Sequence, residues 1–500
     1  MPGIRTITAP SLSTANPRLS KTLKVGGFAL SIFVIEVALA HGVVGPQISR
    51  YVYLFVGVFL LALIWRFPLA TGLVFLGFTD FIFFPSQFQA QMGSLTIRPH
   101  EVALAVLLLL SVVRPKHESW GGRIGLCLAI FLGLALASDL IAYESGRVEL
   151  TNAFNWLRPL FPLALFWVVI RLFPDVEARR VLLTGGAVLA AATGVIALFM
   201  ALGTGFLQGL ESSEQALLSE GGFGSLARVR LPGLSMGYAL FWYSAVQAIG
   251  RRGWSRVLWS TLLLGILLDI VVSYNRNMWV GVILGLFLTA LIGGVVVRGR
   301  LVASIAVIVA ATVVFVVFGS AAGSDQVVKP ILTRGATLLS PGQTTKESSL
   351  QDRAHETSAA WGTAQKNLVV GVGAGAPFGV LEHNQVVSGS FIVGVSSEPQ
   401  LFLHNQYLYL ILISGIPGLI AFVLFLGLSV TTAWRRTPRD PAVAALGIGI
   451  ALIMVSAVVA IYFTVIDMTA VLGLLTGVIV ADSEGRELDS LPSGLAPPRA

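Results

Sequence analysis

The sequence predicts an all-α fold, a polytopic transmembrane helical bundle of about 14 spans. Composition is the first observation: 55% of the 500 residues are hydrophobic, only 12% are charged, and the mean hydropathy is +0.83. A soluble protein of this length needs more charge to cover its surface. Spacing is the second observation, because apolar runs of roughly the 20 residues that cross a bilayer recur along the chain. The soluble classes of protein are therefore excluded.

Each predicted span is an apolar run that ends at polar, charged or glycine-rich residues. In chain order the runs cover residues 25–45, 51–66, 68–85, 99–113, 124–143, 152–171, 181–203, 233–250, 256–274, 278–297, 301–319, 404–433, 441–462 and 464–481. They form two blocks, at 25–319 and 404–481, separated by a large loop (320–403) that is predicted to carry short helices. An N-terminal tail (1–24) precedes them, and a polar, proline-rich tail (482–500) that we expect to be disordered follows.

The first apolar run is predicted to be a retained helix. The polar stretch before it carries Arg5, Arg18, Lys21 and Lys24, as a signal peptide would. No convincing cleavage site follows before the next span, however, so a cleaved signal is not indicated.

Basic residues orient the predicted spans through the positive-inside rule. With a cytoplasmic N-terminus, the inner connections hold Arg66, Arg114, Lys116, Arg123, Arg171, Arg179, Arg180, Arg251, Arg252, Arg256, Arg298, Arg300, Arg435, Arg436 and Arg439. The short outer connections hold only Arg50, Arg98 and Arg147 besides the residues discussed next. This asymmetry predicts that both termini are cytoplasmic. It also accounts for the net charge of +8 without nucleic acid as a partner.

Two outer segments are long, at 204–232 and 320–403. Loops of more than about 15 residues are commonly functional or disordered. Within the second segment, residues 349–366 have amphipathic spacing. This spacing predicts a short helix that lies on the membrane surface.

Several arginines lie on this outer side against the charge rule and need another explanation. They are Arg158, Arg228, Arg230, Arg276, Arg334 and Arg353. One explanation is snorkelling to lipid headgroups, or pairing with acidic residues of the outer segments. The other is a diphosphate site, because clustered guanidinium groups match its oxygens and its negative charge. Arg276 favours the diphosphate site, since it lies in a short polar gap between two long spans, where an uncompensated charge is costly.

His404 opens the twelfth predicted span on the same outer side. A lone histidine at a helix start is commonly a cap or a surface residue. Here the positive end of the helix dipole favours the neutral imidazole, which can accept a proton from a hydroxyl group. Tyr407 lies three residues later on the same helical face, and Asn405 can accept a backbone hydrogen bond at the helix start.

The other candidate features of the sequence are weaker. The glycine-rich turn at 371–375 is either a loop hinge or a backbone contact to a glycan. Asp352 and Glu356 share a helical face but lack the further partners that a metal site needs. The single cysteine, Cys127, excludes an intrachain disulfide and a multi-cysteine metal site. We therefore expect no metal and no cofactor.

Two stretches of the second block closely resemble the signature of the O-antigen ligase and polymerase family. The first is Leu-His-Asn-Gln-Tyr-Leu at 403–408, and the second is Ile-Ser-Gly-Ile-Pro-Gly-Leu at 413–419. In that family a His-Asn pair opens a helix after the large periplasmic loop, and a Gly-Ile-x-Gly step follows about ten residues on.

Three further stretches resemble other motifs of the same family. Ser-Tyr-Asn-Arg at 273–276 is similar to its Ser-Arg step, although here two residues separate the serine from the arginine. Arg-Leu-Pro-Gly at 230–233 resembles its arginine-containing approach to an earlier span. Arg353, Trp361 and the turn at 371–375 resemble its Arg…Trp…Gly-x-Gly pattern inside the loop.

The resemblance implies a metal-independent, inverting glycosyltransferase on a helical scaffold of the GT-C type. Its donor would be a glycan on undecaprenyl diphosphate, and its acceptor a sugar hydroxyl at the periplasmic face of the bacterial inner membrane. His404 would act as the catalytic residue. Asn405, Tyr407 and the outer arginines except Arg334 would bind substrate. Membrane lipids and polysaccharide-assembly proteins are the further partners to expect.

Two alternatives to a polymerase stay open. An O-antigen ligase would transfer the glycan to lipid A–core, whereas a polymerase would transfer it to another lipid-linked glycan, and the high span number favours the polymerase. A membrane transporter is the alternative of another class, because acidic residues inside predicted spans are candidate functional sites. These residues are Glu36, Asp80, Asp139, Asp269 and Asp467. They do not group on neighbouring spans, and no inverted repeat is evident.

Overall fold

The computed structural model describes most of the predicted spans. The described residues are 66–80, 90–92, 95–201, 217–223, 226–229, 233–273, 275–292, 348–384, 395–399, 401, 403–436, 440–463 and 465–490. The spans predicted at 25–45 and 301–319, and all but the last residue of the one at 51–66, lie outside these residues. So do the tail at 1–24 and residues 491–500.

The described part of the chain is built mainly of helices. They are α1 (Pro68–Asp80), α2 (Pro99–Val113), α3 (Gly122–Glu144), α4 (Leu150–Leu157), α5 (Leu165–Leu172), α6 (Val176–Ala201), α7 (Gly233–Gly250), α8 (Trp254–Val272), α9 (Arg276–Ile292), α10 (Ser348–Ala364), α11 (Gln406–Arg435), α12 (Pro441–Ser456) and α13 (Ile466–Ser490). A 3₁₀ segment (Arg158–Ala164), which contains Pro162, joins α4 to α5.

Six helical stretches within the described residues are long and apolar enough to cross a membrane. They are Gly122–Glu144, Leu150–Leu172, Val176–Phe199, Trp254–Val272, Gln406–Arg435 and Ile466–Glu484. Shorter apolar helices lie at Pro68–Gly77, His100–Val113, Arg276–Thr289 and Pro441–Ser456. The chain is therefore a multi-pass membrane protein, as the sequence predicts. The number of 14 spans stays a prediction.

The outer surface of the bundle carries the apolar side chains that a lipid environment requires. Helix α3 has 23 residues, which gives it a length of about 35 Å. Leu126, Leu136 and Ile283 are exposed by 60%, 50% and 64%. Exposed apolar side chains on several helices would promote aggregation in water, but they match the hydrocarbon of a bilayer.

Helix α13 lies in the middle of the bundle, because 89% of its apolar segment within Ile466–Glu484 is buried by other parts of the protein. Its glycines allow close approach: Gly473 and Gly477 lie against the backbone of Leu163 and Phe166. Thr469 Oγ1 donates to the carbonyl of Pro159 at 2.5 Å. These contacts fix α13 against the 3₁₀ segment and α5.

The described residues include three two-stranded antiparallel hairpins that the sequence did not predict. They are β1 (Ala90–Met92) with β2 (Leu95–Ile97), β3 (Leu217–Phe223) with β4 (Leu226–Val229), and β5 (Val380–Asn384) with β6 (Val395–Pro399). The all-α prediction is confirmed for the apolar bundle and corrected in the connections. The predicted short helix of the large loop is present as α10.

The C-terminal tail differs from the prediction that disorder begins at residue 482. Helix α13 continues to Ser490. Polar side chains of the bundle hold its last turns, because Arg179 forms an ion pair with Asp482 at 3.6 Å and Arg436 donates to the Ser483 carbonyl at 3.0 Å. Composition alone does not show such partners, which belong to distant parts of the chain.

Basic residues of the predicted inner connections meet at one end of the bundle, which we call the basic end. Arg171 donates to the Ser111 carbonyl at 2.8 Å and lies over the Trp120 ring at 3.9 Å. Lys116 N donates to the Arg171 carbonyl at 2.8 Å. Together with the Arg179 and Arg436 contacts, these bonds join the ends of α2, α5, α11 and α13.

Candidate active site

The candidate site begins at the start of α11, at the end of the bundle opposite the basic end. Asn405 caps α11, since its Oδ1 accepts a bond from Leu408 N at 3.2 Å. The buried Gln406 holds the connection between α12 and α13: its N donates to the Ala457 carbonyl at 3.0 Å, and its Oε1 accepts from Phe463 N at 3.1 Å. These bonds fix the backbone on which His404 lies.

The glycine-rich turn at 371–375 packs against a break in α11. Gly415 has a φ of 68°, and Pro417 follows it, so the regular helical bonds are interrupted here. Val372 N donates to the released Leu412 carbonyl at 2.5 Å, and Ile416 N donates to the Leu368 carbonyl at 2.7 Å. The broken helix therefore regains hydrogen bonds from the loop, as a break inside a membrane bundle requires.

The turn at 371–375 is fixed in place by close packing. Gly371, Gly373 and Gly375 all have positive φ angles, which glycine adopts without steric cost. A Cβ at Gly371 would lie 2.5 Å from the Leu412 carbonyl oxygen. On the other side, Ala374 N donates to Asp139 of α3. The turn thus joins α11 to α3 and positions the C-terminal side of α10.

His404 meets an acidic residue that comes from α10. His404 Nδ1 lies 2.9 Å from Glu356 Oε2. The Glu356 side chain is only 7% exposed, whereas that of His404 is 27% exposed. Helix α10 places Glu356 there because Glu356, Ala360 and Ala364 are buried at four-residue spacing on its packed face. The pair is partly accessible from outside the bundle and held firmly on its inner side.

Arg353 lies on the same helix, one turn before Glu356. Its Nη1 donates to the Val459 carbonyl at 3.1 Å, in the connection between α12 and α13 that Gln406 also holds. Residues three apart on a helix are neighbours on one face. Arg353 therefore lies one helical turn from the residue that contacts His404, at the same end of the bundle, and a common site of these residues stays a prediction.

Arg276 begins α9 at the same end of the bundle. A chain of contacts links the start of α9 to the connection after α12. Gly281, about 7.5 Å along α9 from Arg276, packs against the Tyr238 hydroxyl, which lies 3.1 Å from Ser456 Oγ at the end of α12. The next residue, Ala457, accepts the hydrogen bond from Gln406 N. Helix α8 ends at Val272, and Ser273 and Asn275 lie between that end and Arg276.

The remaining predicted site residues have other surroundings. The buried Arg158 binds Glu101 of α2 at 2.5 Å and Asn155 at 3.3 Å, so its charge is compensated within the bundle. Tyr407 donates to the Met454 carbonyl at 2.7 Å, which ties α11 to α12. Arg228 belongs to β4, and its side chain is not described. Arg230 lies outside the described residues.

Glu356 is the functional candidate that sequence reasoning missed. Its spacing from Asp352 indicates at most a metal ligand, and the sequence offers no further partners for such a site. Its partner is a histidine 48 residues away, and no local spacing reveals such a pair. The one available signal was its place on the amphipathic helix of the loop that precedes His404.

Fold and site together define a polytopic membrane protein with a histidine–carboxylate pair and arginines at one end of the bundle. Residues 261–423, about a third of the chain, match the family model described as O-antigen ligase. This match confirms the resemblance to the O-antigen ligase and polymerase family and supports a membrane function in polysaccharide biosynthesis. No curated protein matches the chain. The matched residues include Arg276, Arg353, Glu356 and His404, and they exclude Arg158.

Proposed function

We propose that the protein is a membrane glycosyltransferase that transfers a glycan from undecaprenyl diphosphate to an acceptor sugar hydroxyl at the periplasmic face of the inner membrane. The observation that carries this proposal is the contact of His404 with Glu356, with Arg353 one helical turn before Glu356 at the same end of the bundle, inside the family match. The basic end then faces the cytoplasm, in agreement with the positive-inside rule.

In the proposed reaction His404 Nε2 takes the proton of the acceptor hydroxyl. The hydroxyl oxygen attacks the anomeric carbon, and the bond from that carbon to the phosphate oxygen breaks. The electron pair of that bond leaves with undecaprenyl diphosphate, and His404 returns its proton to solvent. A single displacement of this kind inverts the anomeric centre. General-base help is typically worth about 10²–10⁴-fold in rate.

The arginines supply the positive charge that the leaving group requires. Arg276 and Arg353 would bind the diphosphate oxygens through charge-assisted hydrogen bonds. A diphosphate is a stable anion, so its departure needs no general acid. Guanidinium groups can stabilise its developing charge where other enzymes use a divalent cation. We therefore propose a metal-independent reaction.

We keep the polymerase as the first candidate and the ligase as the second. The predicted span number favours the polymerase. The ligase is favoured by the description of the matched family. Chemical analysis of surface polysaccharide in a deletion strain separates the two. Loss of a polymerase leaves single repeat units on the acceptor, whereas loss of a ligase leaves the acceptor bare and the polymer on its lipid carrier.

The central experiment replaces His404 with alanine in the purified protein. Turnover of undecaprenyl-diphosphate-linked glycan, extracted from the deletion strain, should fall by about 10²–10⁴-fold. Binding of undecaprenyl diphosphate should persist, because the arginines remain. His355→Ala, at an exposed position on α10, is the matched control and should retain activity.

Two results would contradict the proposal. Turnover by His404→Ala at the wild-type rate would show that His404 is not the catalytic base. Loss of wild-type activity in EDTA would show that the reaction requires a metal ion.

One observation keeps the transporter as a candidate of another class. Asp269 of α8 is fully buried, and neither of its carboxylate oxygens has a hydrogen-bond partner among the described residues. Acidic residues at such depth commonly mark ion pathways. Asp139, by contrast, binds Ala374 N and holds the glycine-rich turn. Proton flux in proteoliposomes that disappears in Asp269→Asn would favour transport over glycosyl transfer.

A further inference from the structure

We propose that Glu356 is the positioning residue of the reaction: it orients His404 through Nδ1 and so directs Nε2 towards the acceptor hydroxyl. The proposal rests on the proposed function, because it gives Glu356 a role in the same transfer step. The contact that carries it is the 2.9 Å separation between His404 Nδ1 and Glu356 Oε2.

The first step of the argument is the direction of this hydrogen bond. An ionised carboxylate can only accept hydrogen bonds. A bond between it and His404 Nδ1 therefore requires that Nδ1 carries the proton. In the neutral imidazole the lone pair is then on Nε2, the nitrogen on the opposite side of the ring. The contact thus selects the tautomer in which Nε2 is the base.

The second step concerns charge during the reaction. When Nε2 accepts the proton of the acceptor, the ring becomes an imidazolium ion. A carboxylate at Nδ1 stabilises this cation as it forms, without itself taking up the proton. The surrounding protein excludes water from Glu356, whose side chain is only 7% exposed. The interaction is therefore screened less than a surface pair would be.

The third step is mechanical. His404 precedes the first turn of α11, where the side chain of Asn405 fixes the backbone but not the histidine ring. Glu356 comes from a different element, the helix α10 of the large loop. Helix α10 is held by Arg353 at Val459 and by Thr363, whose Oγ1 donates to the Phe378 carbonyl at 2.9 Å. Docking of the loop on the bundle is therefore what completes the catalytic group.

The test is a double-mutant cycle with turnover and donor binding as separate readouts. In Glu356→Gln, kcat should fall by about 10²–10⁴-fold, up to the loss seen in His404→Ala. KM for the lipid-linked glycan extracted from the deletion strain should stay near the wild-type value, because the arginines are intact. Glu356→Asp, which keeps the charge, should recover part of the lost turnover.

The double variant decides between positioning and a merely structural role. Because Glu356 acts through His404, adding Glu356→Gln to His404→Ala should change kcat by less than about twofold. A merely structural role would lower activity further in that background. Glu144→Gln, an exposed change of the same type at the end of α3, is the matched control and should have wild-type turnover.

A second measurement does not depend on the variants of Glu356. In wild-type protein with nitrogen-15-labelled histidine, the signal of His404 is assigned by its loss in His404→Gln. It should show the proton on Nδ1 at neutral pH.

Three results would overturn the positioning role while leaving the proposed function intact. They are wild-type turnover in Glu356→Gln, additive losses in the double variant, and a neutral imidazole whose proton is on Nε2 with Nδ1 unprotonated. Wild-type turnover in His404→Ala is a different failure, because it contradicts the proposed function itself.

Discussion

Arg276 stands at the first position of α9, in a turn that polar side chains shape. Ser273 Oγ accepts from Asn275 N at 3.3 Å, and Asn275 Oδ1 accepts from Asn277 N at 3.2 Å. Asn275, one of the two residues that separate the serine from the arginine, therefore caps the start of α9. That cap places the guanidinium at the boundary of the bundle, on the side of His404.

Removal of Arg276 should weaken catalysis without preventing insertion. Each charge-assisted bond to the diphosphate is worth about 1.5–3 kcal/mol, so kcat/KM in Arg276→Ala should fall by about 10–150-fold. Arg276→Lys should recover little activity, because an ammonium group cannot form the bidentate contact of a guanidinium. Arg252→Ala removes an exposed arginine at the basic end and should act like wild type. Full activity in Arg276→Ala would exclude Arg276 from the site.

Arg353 should be more sensitive to substitution than Arg276, because the structure gives it a second task. Its Nη1 donates to the Val459 carbonyl and so holds α10 over the connection between α12 and α13. Arg353→Ala should therefore lower kcat/KM by about 10–150-fold and also expose α10 to added protease. Arg353→Lys should restore protection from protease better than activity. Equal recovery of both would show that positive charge alone is sufficient there.

At the residue scale the sequence indicates which side chains matter but not which of them meet. The position of His404 before an apolar run and the charge rule selected His404, Arg276 and Arg353. Neither could select Glu356, because the contact depends on how α10 folds back on the start of α11. Arg158 passed the same sequence criteria, yet its charge is compensated by Glu101 inside the bundle. Charge rules along a sequence do not show such partners.

At the scale of elements, the break in α11 connects the loop to the bundle. Gly415 has a positive φ, and a Cβ there would collide with the Val369 carbonyl. The Gly-Ile-Pro-Gly step of α11 and the glycine-rich turn of the loop are therefore two halves of one contact. The sequence left open whether that turn is a hinge or touches a glycan. The structure shows a packed turn, and glycan contact stays a prediction.

Gly415→Ala should destabilise this contact, and Gly427→Ala in the same helix should not. An alanine at positive φ costs about 1–2 kcal/mol, and the close approach of Val369 adds to that cost. A Cβ at Gly427 meets no atom within 4 Å. Gly415→Ala should therefore lower both the thermal unfolding temperature in detergent and the turnover. Gly427→Ala should leave both unchanged or slightly raise stability, and equal effects of the two substitutions would contradict the docking role.

Long elements were predicted well, and short ones were not. The runs at 124–143, 404–433 and 256–274 correspond to α3, α11 and α8, because 18 or more apolar residues leave few alternatives to a membrane helix. Strands of three to seven residues, such as those of the β1–β2 and β3–β4 hairpins, carry no comparable signal. Their pairing depends on turns and neighbours that an individual short segment does not encode.

At the scale of the whole molecule, two chemically different ends explain the arrangement. The basic end gathers Arg171, Arg179 and Arg436 with the last turns of α13. The opposite end gathers His404, Glu356, Arg353 and the start of α9. The sequence predicted this division from loop charges alone, since consecutive spans must alternate in direction. The sequence could not predict that α13 lies in the centre of the bundle. An apolar run has the same composition whether lipid or protein surrounds the helix.

The side of the membrane that each end faces can be tested by thiol labelling. Ser358 on α10 and Ser255 at the start of α8 are both exposed, and they lie at opposite ends of the bundle. In a Cys127→Ala background, Ser358→Cys should react with a membrane-impermeant maleimide in intact spheroplasts. Ser255→Cys should react only after lysis, because the positive-inside rule places the basic end in the cytoplasm. Labelling of Ser255→Cys alone in intact cells would reverse the orientation. It would place the candidate site in the cytoplasm, where a periplasmic acceptor could not reach His404.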